Sequence, residues 1–206
     1  MAELTDSLNQ LLEGREAQIS QRIGADEAQT RAAMRAAVPA LLAALSQEAR
    51  PGSGLQEAIE RDHDGAILDQ LNEYLGGSAQ LSPRTTNGAG ILSHTLGARQ
   101  QDLERTLSAK SGMDMGSIAK LLITLAPILM GMLGKKGRSS GGGINIDDLG
   151  GLLNRETQDA RAKNPDIGDI LDSFAGAGTA TSGAGASSGG GLGGMLDSIL
   201  GRKRGD

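Results

Sequence analysis

The residues that come nearest to a chemical site are Asp62-His63-Asp64-Gly65. A helix-loop-helix calcium loop sets oxygen ligands at positions 1, 3 and 5, a glycine at 6, an apolar residue at 8 and a bidentate Glu at 12. Glu60, Asp62 and Asp64 fall on the first three of these, Gly65 on the glycine and Ile67 on the apolar position. Leu71 then stands where the bidentate Glu is required, and Glu60 stands where Asp is wanted. Without the closing ligand the structural reading is preferred: Asp62 or Asp64 caps a helix beginning at Gly65, and Gly65 makes the tight entry turn. Asp62, Asp64 and His63 are kept as the candidate ligands should the turn hold a cation, Ca²⁺ first.

His63 and His94 are the only histidines. Joined with Asp62 and Asp64 they would make a set of ligands drawn from distant segments, whereas metal sites written in sequence show local spacing. His63 is therefore read as exposed or capping, and His94 as a satisfied helix residue. No serine sits in a nucleophile-elbow pattern and no pair of carboxylates frames a basic or aromatic subsite. The chain has no cysteine, which removes thiol nucleophiles, thiolate ligands and disulfides together. Gly134-Lys135-Lys136-Gly137-Arg138 is glycine-rich and cationic, but it lacks P-loop spacing and a preceding β-rich run. Its lysines suit the C-terminal end of a helix dipole. The expectation is a protein that is not an enzyme, with no catalytic or cofactor-binding residue and no cofactor.

Composition fixes what must hold such residues in place. The 206 residues include 32 glycines, one Tyr, one Phe and no Trp, so any core is built from Leu, Ile, Val, Met and Ala. The net charge of −5 leaves no basic footprint for phosphate backbones, and nucleic acid is not an expected partner. The opening MAELTDSLNQ lacks the basic and apolar regions of a secretory signal, which points to a cytoplasmic protein. The most apolar segment, Ile118 to Leu133, is shorter than the ~20 residues of a membrane span and carries Lys120, so it reads as a buried helix.

Sliding the chain against itself finds a repeat at an offset of 88. Gly24-Ala25-Asp26 recurs as Gly112-Met113-Asp114, and Pro39-Ala40-Leu41-Leu42 as Pro127-Ile128-Leu129-Met130. Leu8, Ile19, Ser20 and Leu45 fall on Leu96, Leu107, Ser108 and Leu133 at the same offset. Duplication of one unit is the preferred explanation over two similar amphipathic helices. Asp26 and Gln29 have the spacing of a capping box, the amide reaching back to the start of the helix. Met34, Val38, Leu41, Leu42 and Leu45 then recur at helical spacing, and so do Ile118, Leu121, Leu122, Leu125, Leu129, Met132 and Leu133. Ile123, Ile128 and Met130 fill the other faces of the second helix, so it is either central or covered by a partner. Pro39 and Pro127 should kink or break these helices.

Shorter amphipathic segments precede each long helix, residues 57–75 read as helix, turn, helix, and residues 76–90 form a linker. The predicted fold is all-α: two pseudo-repeated helical units, about 1–75 and 89–135, pack Pro-kinked central helices into one bundle. Residues 136–206 are read as a flexible Gly-rich tail, disordered from Ala175 to Gly194, with short helical islands. Those islands, Gly168-Asp169-Ile170-Leu171-Asp172 and Gly194-Met195-Leu196-Asp197, echo Gly65-Ala66-Ile67-Leu68-Asp69.

In this order the motifs resemble bacterial domain-of-unknown-function family 937, related to the YidB-like proteins. The matching pieces are residues 23–30, 37–42, Asp62-His63-Asp64-Gly65, Gly90-Ile91-Leu92-Ser93-His94-Thr95-Leu96-Gly97, and Ser111-Gly112-Met113-Asp114 running to Pro127 and Gly134. The resemblance implies an all-helical fold with a glycine-rich C-terminal region and supplies no activity. The expected function is a non-catalytic protein-interaction or scaffold module, with a protein partner or a second copy of itself. The alternatives are peripheral association with a membrane surface and Ca²⁺ binding at the Asp-His-Asp-Gly turn.

Overall fold

The computed structural model describes residues 3–139 and 145–163, together with Gly168 and Ile170. The described residues contain helices and no strand. The first half holds α1 (Glu3–Leu12), α2 (Glu16–Ile23) and the long α3 (Glu27–Glu48), followed by α4 (Leu55–Asp62), α5 (Ala66–Asp69) and α6 (Leu71–Gly76). The second half holds α7 (Gly88–Thr95), a turn of 3₁₀ helix at Gly97–Arg99, α8 (Gln100–Ser111), the long α9 (Met115–Ser139) and α10 (Ile146–Lys163).

The helix boundaries follow local chemistry. Gly24 and Gly112 both take left-handed backbone, with φ of 76° and 71°, and donate their N–H to the carbonyls of Ser20 and Ser108. A left-handed C-cap of this kind ends a helix at no steric cost when the residue is glycine. Two residues further on, Asp26 accepts from the Ala28 and Gln29 amides at 2.8 and 3.1 Å, and Asp114 accepts from Ser117 N at 3.0 Å. Both the stop and the start therefore recur at the offset of 88. The Gln29 amide does not reach back as a capping box would have it; Nε2 donates to the Gly112 carbonyl at 3.1 Å. That carbonyl lies at the end of α8, where helical partners run out and a side-chain donor is useful. The start of the first long helix is thus tied to the end of the helix that precedes the second.

Both long helices continue unbroken through their prolines. A proline inside a helix costs roughly 3 kcal/mol locally, and packing overrides it here. α9 touches α1, α2, α3, α4, α5, α7 and α8, while α3 touches α2, α7, α8, α9 and α10. Pro127 offers no N–H to the Ile123 carbonyl four residues back, and α7 arrives at that carbonyl: a Cβ on Gly88 would lie 1.8 Å from the Ile123 oxygen. Only glycine lets the two backbones approach this closely. One residue along, Tyr74 Oη donates to the Thr124 carbonyl at 3.3 Å.

One aliphatic core joins both halves. Leu8, Ile19, Ile23, Val38 and Leu42 from the first share it with Leu92, Leu107, Ile118, Leu125 and Ile128 from the second. The apolar faces of α9 are met by neighbours of the same chain. It is long and apolar enough to cross a bilayer, yet 72% of its most apolar window is buried inside the fold. Met115, 40% exposed, is the one exposed large hydrophobic residue among those described.

The core also runs past residue 135. Residues 146–163, which composition assigns to the flexible tail, form α10, packed on α3 and α1. Ile146, Leu149 and Leu153 enter the core, and so does Ile170. Gly150 belongs to this contact, because a Cβ there would come within 3.2 Å of the Ala49 carbonyl. Glu156, 1% exposed, accepts from the Leu4 and Thr5 amides at 2.9 and 3.0 Å and from Thr5 Oγ1 at 2.8 Å. A carboxylate on α10 therefore satisfies amides in the first turn of α1, which have no helical partner of their own. The stretch from Ala175 to Gly194 and the island at Gly194-Met195-Leu196-Asp197 lie outside the described residues.

Candidate functional site

The Asp-His-Asp-Gly turn joins α4 to α5 and is pressed onto α9 at two glycines. A Cβ on Gly134 would lie 1.7 Å from the His63 carbonyl oxygen, and one on Gly131 would lie 2.4 Å from Ile67 Cγ2. Gly65 turns the chain at φ +94° over Lys135. The N-cap position of α5 is Gly65; Asp64, one residue before it, accepts from Ala66 N through Oδ1 at 2.9 Å, and its carboxylate also lies 3.8 Å from Arg138. Asp62 is held instead by Arg61, whose Nη2 and Nε donate to Oδ2 at 2.7 and 3.0 Å. This hydrogen bond to the guanidinium holds the Asp62 carboxyl below the usual carboxylate range. The Asp62 carbonyl accepts from Thr85 Oγ1 at 2.8 Å, fastening the linker to the turn.

Of the two roles expected of His63, exposed or capping, it takes the second and is buried. Its N–H closes α4 on the Ile59 carbonyl at 3.1 Å, and its side chain is only 3% exposed. Nδ1 is enclosed and has no hydrogen-bond partner. Burial pushes its pKa below the ordinary value of 6.5, against the opposing pull of Asp62 and Asp64. The cause is the glycine pair on α9, which no local pattern around His63 announces. His94 lies in the last turn of α7 and is exposed, with Nε2 at 3.1 Å from the Ser53 carbonyl.

The two histidines line one cleft of about 310 Å³ between α4, α7 and α9. Asp62 reaches it and Asp64 does not. Leu55, Ala58, Ile91 and Met130 form its apolar wall, while Arg61, Arg84 and Asn87 supply polar groups. Arg84 and Asn87 come from the linker, which composition marks as mere connection. Asn87 also caps α7, its Oδ1 accepting from Gly90 N at 2.9 Å.

Among the described residues no group of three or more His, Cys, Asp or Glu side chains is arranged to hold a metal ion. The Asp62 and Asp64 oxygens are engaged by Arg61, the α5 backbone and Arg138. In the cleft, the Thr95 hydroxyl donates to the Ile91 carbonyl at 2.9 Å, His94 is held by Ser53, and Asp62 is neutralised by Arg61. General acid-base or nucleophilic work needs a base within reach of a reacting hydroxyl or water. The cleft offers aliphatic side chains, two guanidiniums and, in His63, an imidazole nitrogen without a hydrogen-bond partner.

Fold and cleft together define an all-helical protein with a single shared core and a small pocket at the meeting of its two most distinctive motifs. A family model described as bacterial protein of unknown function (DUF937) matches residues 6–136, and the chain belongs to that family. Comparison with curated proteins and with solved structures finds no match.

Proposed function

We propose that the protein is a non-catalytic protein-interaction or scaffold module, with a second copy of itself as the simplest partner. The observation that carries this reading is a broad groove of about 1600 Å³ between α1, α3 and α10, bounded by the end of α9. Its walls carry both signs of charge. Arg31 lies 3.8 Å from Glu16 and Lys163 lies 3.6 Å from Asp6, with Arg35 beside them. A surface of mixed charge suits the polar rim of a transient interface. Neither histidine lines it. The apolar faces of α9, which by sequence alone invited a partner, are covered within the chain, so the groove takes over as the docking surface.

Light scattering on the full chain across a wide concentration range tests the reading. Particles heavier than the 21.0 kDa monomer should appear and should be lost in Arg35→Glu, which reverses charge on the groove wall. A monomer at every concentration, together with no lysate partner whose capture depends on Arg35, would refute it.

A further inference from the structure

We infer that the cleft between α4, α7 and α9 is a binding site for a carboxylate carried on a short apolar stem, separate from the groove. Four observations converge on it. The lining holds two guanidiniums, Arg61 and Arg84, against the single carboxylate of Asp62, so the polar end carries an excess of positive charge. Asp62 is hydrogen-bonded by Arg61 at 2.7 Å and feels Arg84 through its charge, which leaves the Arg84 N–H groups to meet an incoming anion. His63, 3% exposed, lines the same cleft, and its enclosed Nδ1 has no hydrogen-bond partner. Buried polar atoms without partners are rare, and each calls for an explanation, of which a bound group is one. The lining also includes the aliphatic side chains of Leu55, Ala58, Ile91 and Met130. A volume of about 310 Å³ sits at the small end of the range for ligand pockets.

An inorganic oxyanion would use the guanidiniums and leave the aliphatic wall wet. A neutral apolar molecule would leave Arg84 unanswered. A carboxylate with an alkyl or aliphatic side-chain stem uses both ends, and bidentate pairing with a guanidinium is the strong form of that contact. Such a group is found on a free short-chain acid or at the C-terminal residue of a polypeptide.

The chain has only two histidines, so the site carries its own reporters. Sodium hexanoate and N-acetyl-leucine are titrated into the full-length protein at fixed pH and ionic strength, and the imidazole resonances of His63 and His94 are followed by NMR. Both sets should shift saturably, with acetate and inorganic phosphate at least tenfold weaker. Arg84→Glu should abolish the shift, and Arg84→Lys should retain part of it; Arg84 is exposed, so neither change threatens the core. Tighter binding of hexanoate assigns the stem to a free acid, and tighter binding of N-acetyl-leucine to a chain end. No saturable shift up to about 10 mM, where a millimolar site would be roughly nine-tenths filled, overturns the inference. Phosphate binding as tightly as hexanoate, or shifts indifferent to Arg84→Glu, does so as well.

Discussion

Gly134→Ala tests how the turn that carries His63 is held against α9. In an ordinary helix interior the change to alanine stabilises by about 1 kcal/mol. Here the new methyl would stand 1.7 Å from the His63 carbonyl oxygen, and ordinary contact begins at 3.4 Å. The obstacle is backbone, which cannot rotate away as a side chain would. The turn and α9 must separate by about 1.7 Å, and a gap of that size forfeits half or more of the dispersion energy of the atoms facing it. Those atoms include Ile59 Cγ2, 3.4 Å from the added methyl. Overpacking of this kind costs about 1–3 kcal/mol, and a backbone clash belongs at the upper end. After the helical gain is subtracted, a net loss of about 2 kcal/mol remains, which lowers Tm by roughly 4–8 °C in a protein of this size. Gly151→Ala in α10 is the control, because a Cβ there meets nothing within 4 Å. It should raise Tm by about 2–4 °C. Thermal melts of the two variants beside the parent decide the matter. A Gly134→Ala protein that is as stable as the parent, with its His63 resonance unmoved, would refute the close-approach argument.

Three further outcomes are expected. Glu156→Ala leaves the Leu4 and Thr5 amides without their acceptor and should cost about 1–3 kcal/mol, with Glu156→Gln losing less; faster hydrogen exchange at Leu4 and Thr5 is the direct readout. His63 binds a proton less readily folded than unfolded, so stability is complete above pH 6.5 and declines as pH falls below it, towards the lower folded value. The slope is at most about 1.4 kcal/mol per pH unit, and His63→Gln should remove it from denaturant midpoints measured between neutral pH and the carboxylate range. Asp26→Ala removes the cap of α3 and should cost about 1 kcal/mol, seen as a lower urea midpoint at unchanged slope.

The parts of the fold legible in the sequence are those fixed by neighbours along the chain. The cap at Asp26, the repeated Gly-x-Asp motif and the aliphatic faces of α3 and α9 all depend on residues within a turn or two of each other. The parts that were not legible depend on contacts between distant segments. Asp147-Asp148-Leu149-Gly150-Gly151 reads as tail because two adjacent glycines carry poor helical propensity, yet α3 supplies a surface on which Gly150 fits and Leu153 is buried. Gln29 has capping-box spacing, but a needier acceptor waits at Gly112, 83 residues away. The burial of His63 is decided by Gly131 and Gly134, and the passage of each long helix through its proline by the neighbours that enclose it. The cleft was half legible: the two motifs that bound it stand out in the sequence, whereas Arg84 and Asn87 came from residues that composition marks only as linker.

Glu156 has a bearing on how this chain is made. Leu4 and the carboxylate that receives its amide are 152 residues apart. At a synthesis rate of about 5–20 residues per second, the N-terminal helix emerges roughly 8–30 s before its acceptor exists. Throughout that interval the first turn can only be solvated, and its apolar side has no finished partner to settle on. This contact therefore closes late relative to the synthesis of α1, and any factor that shields nascent apolar helices has a long window there.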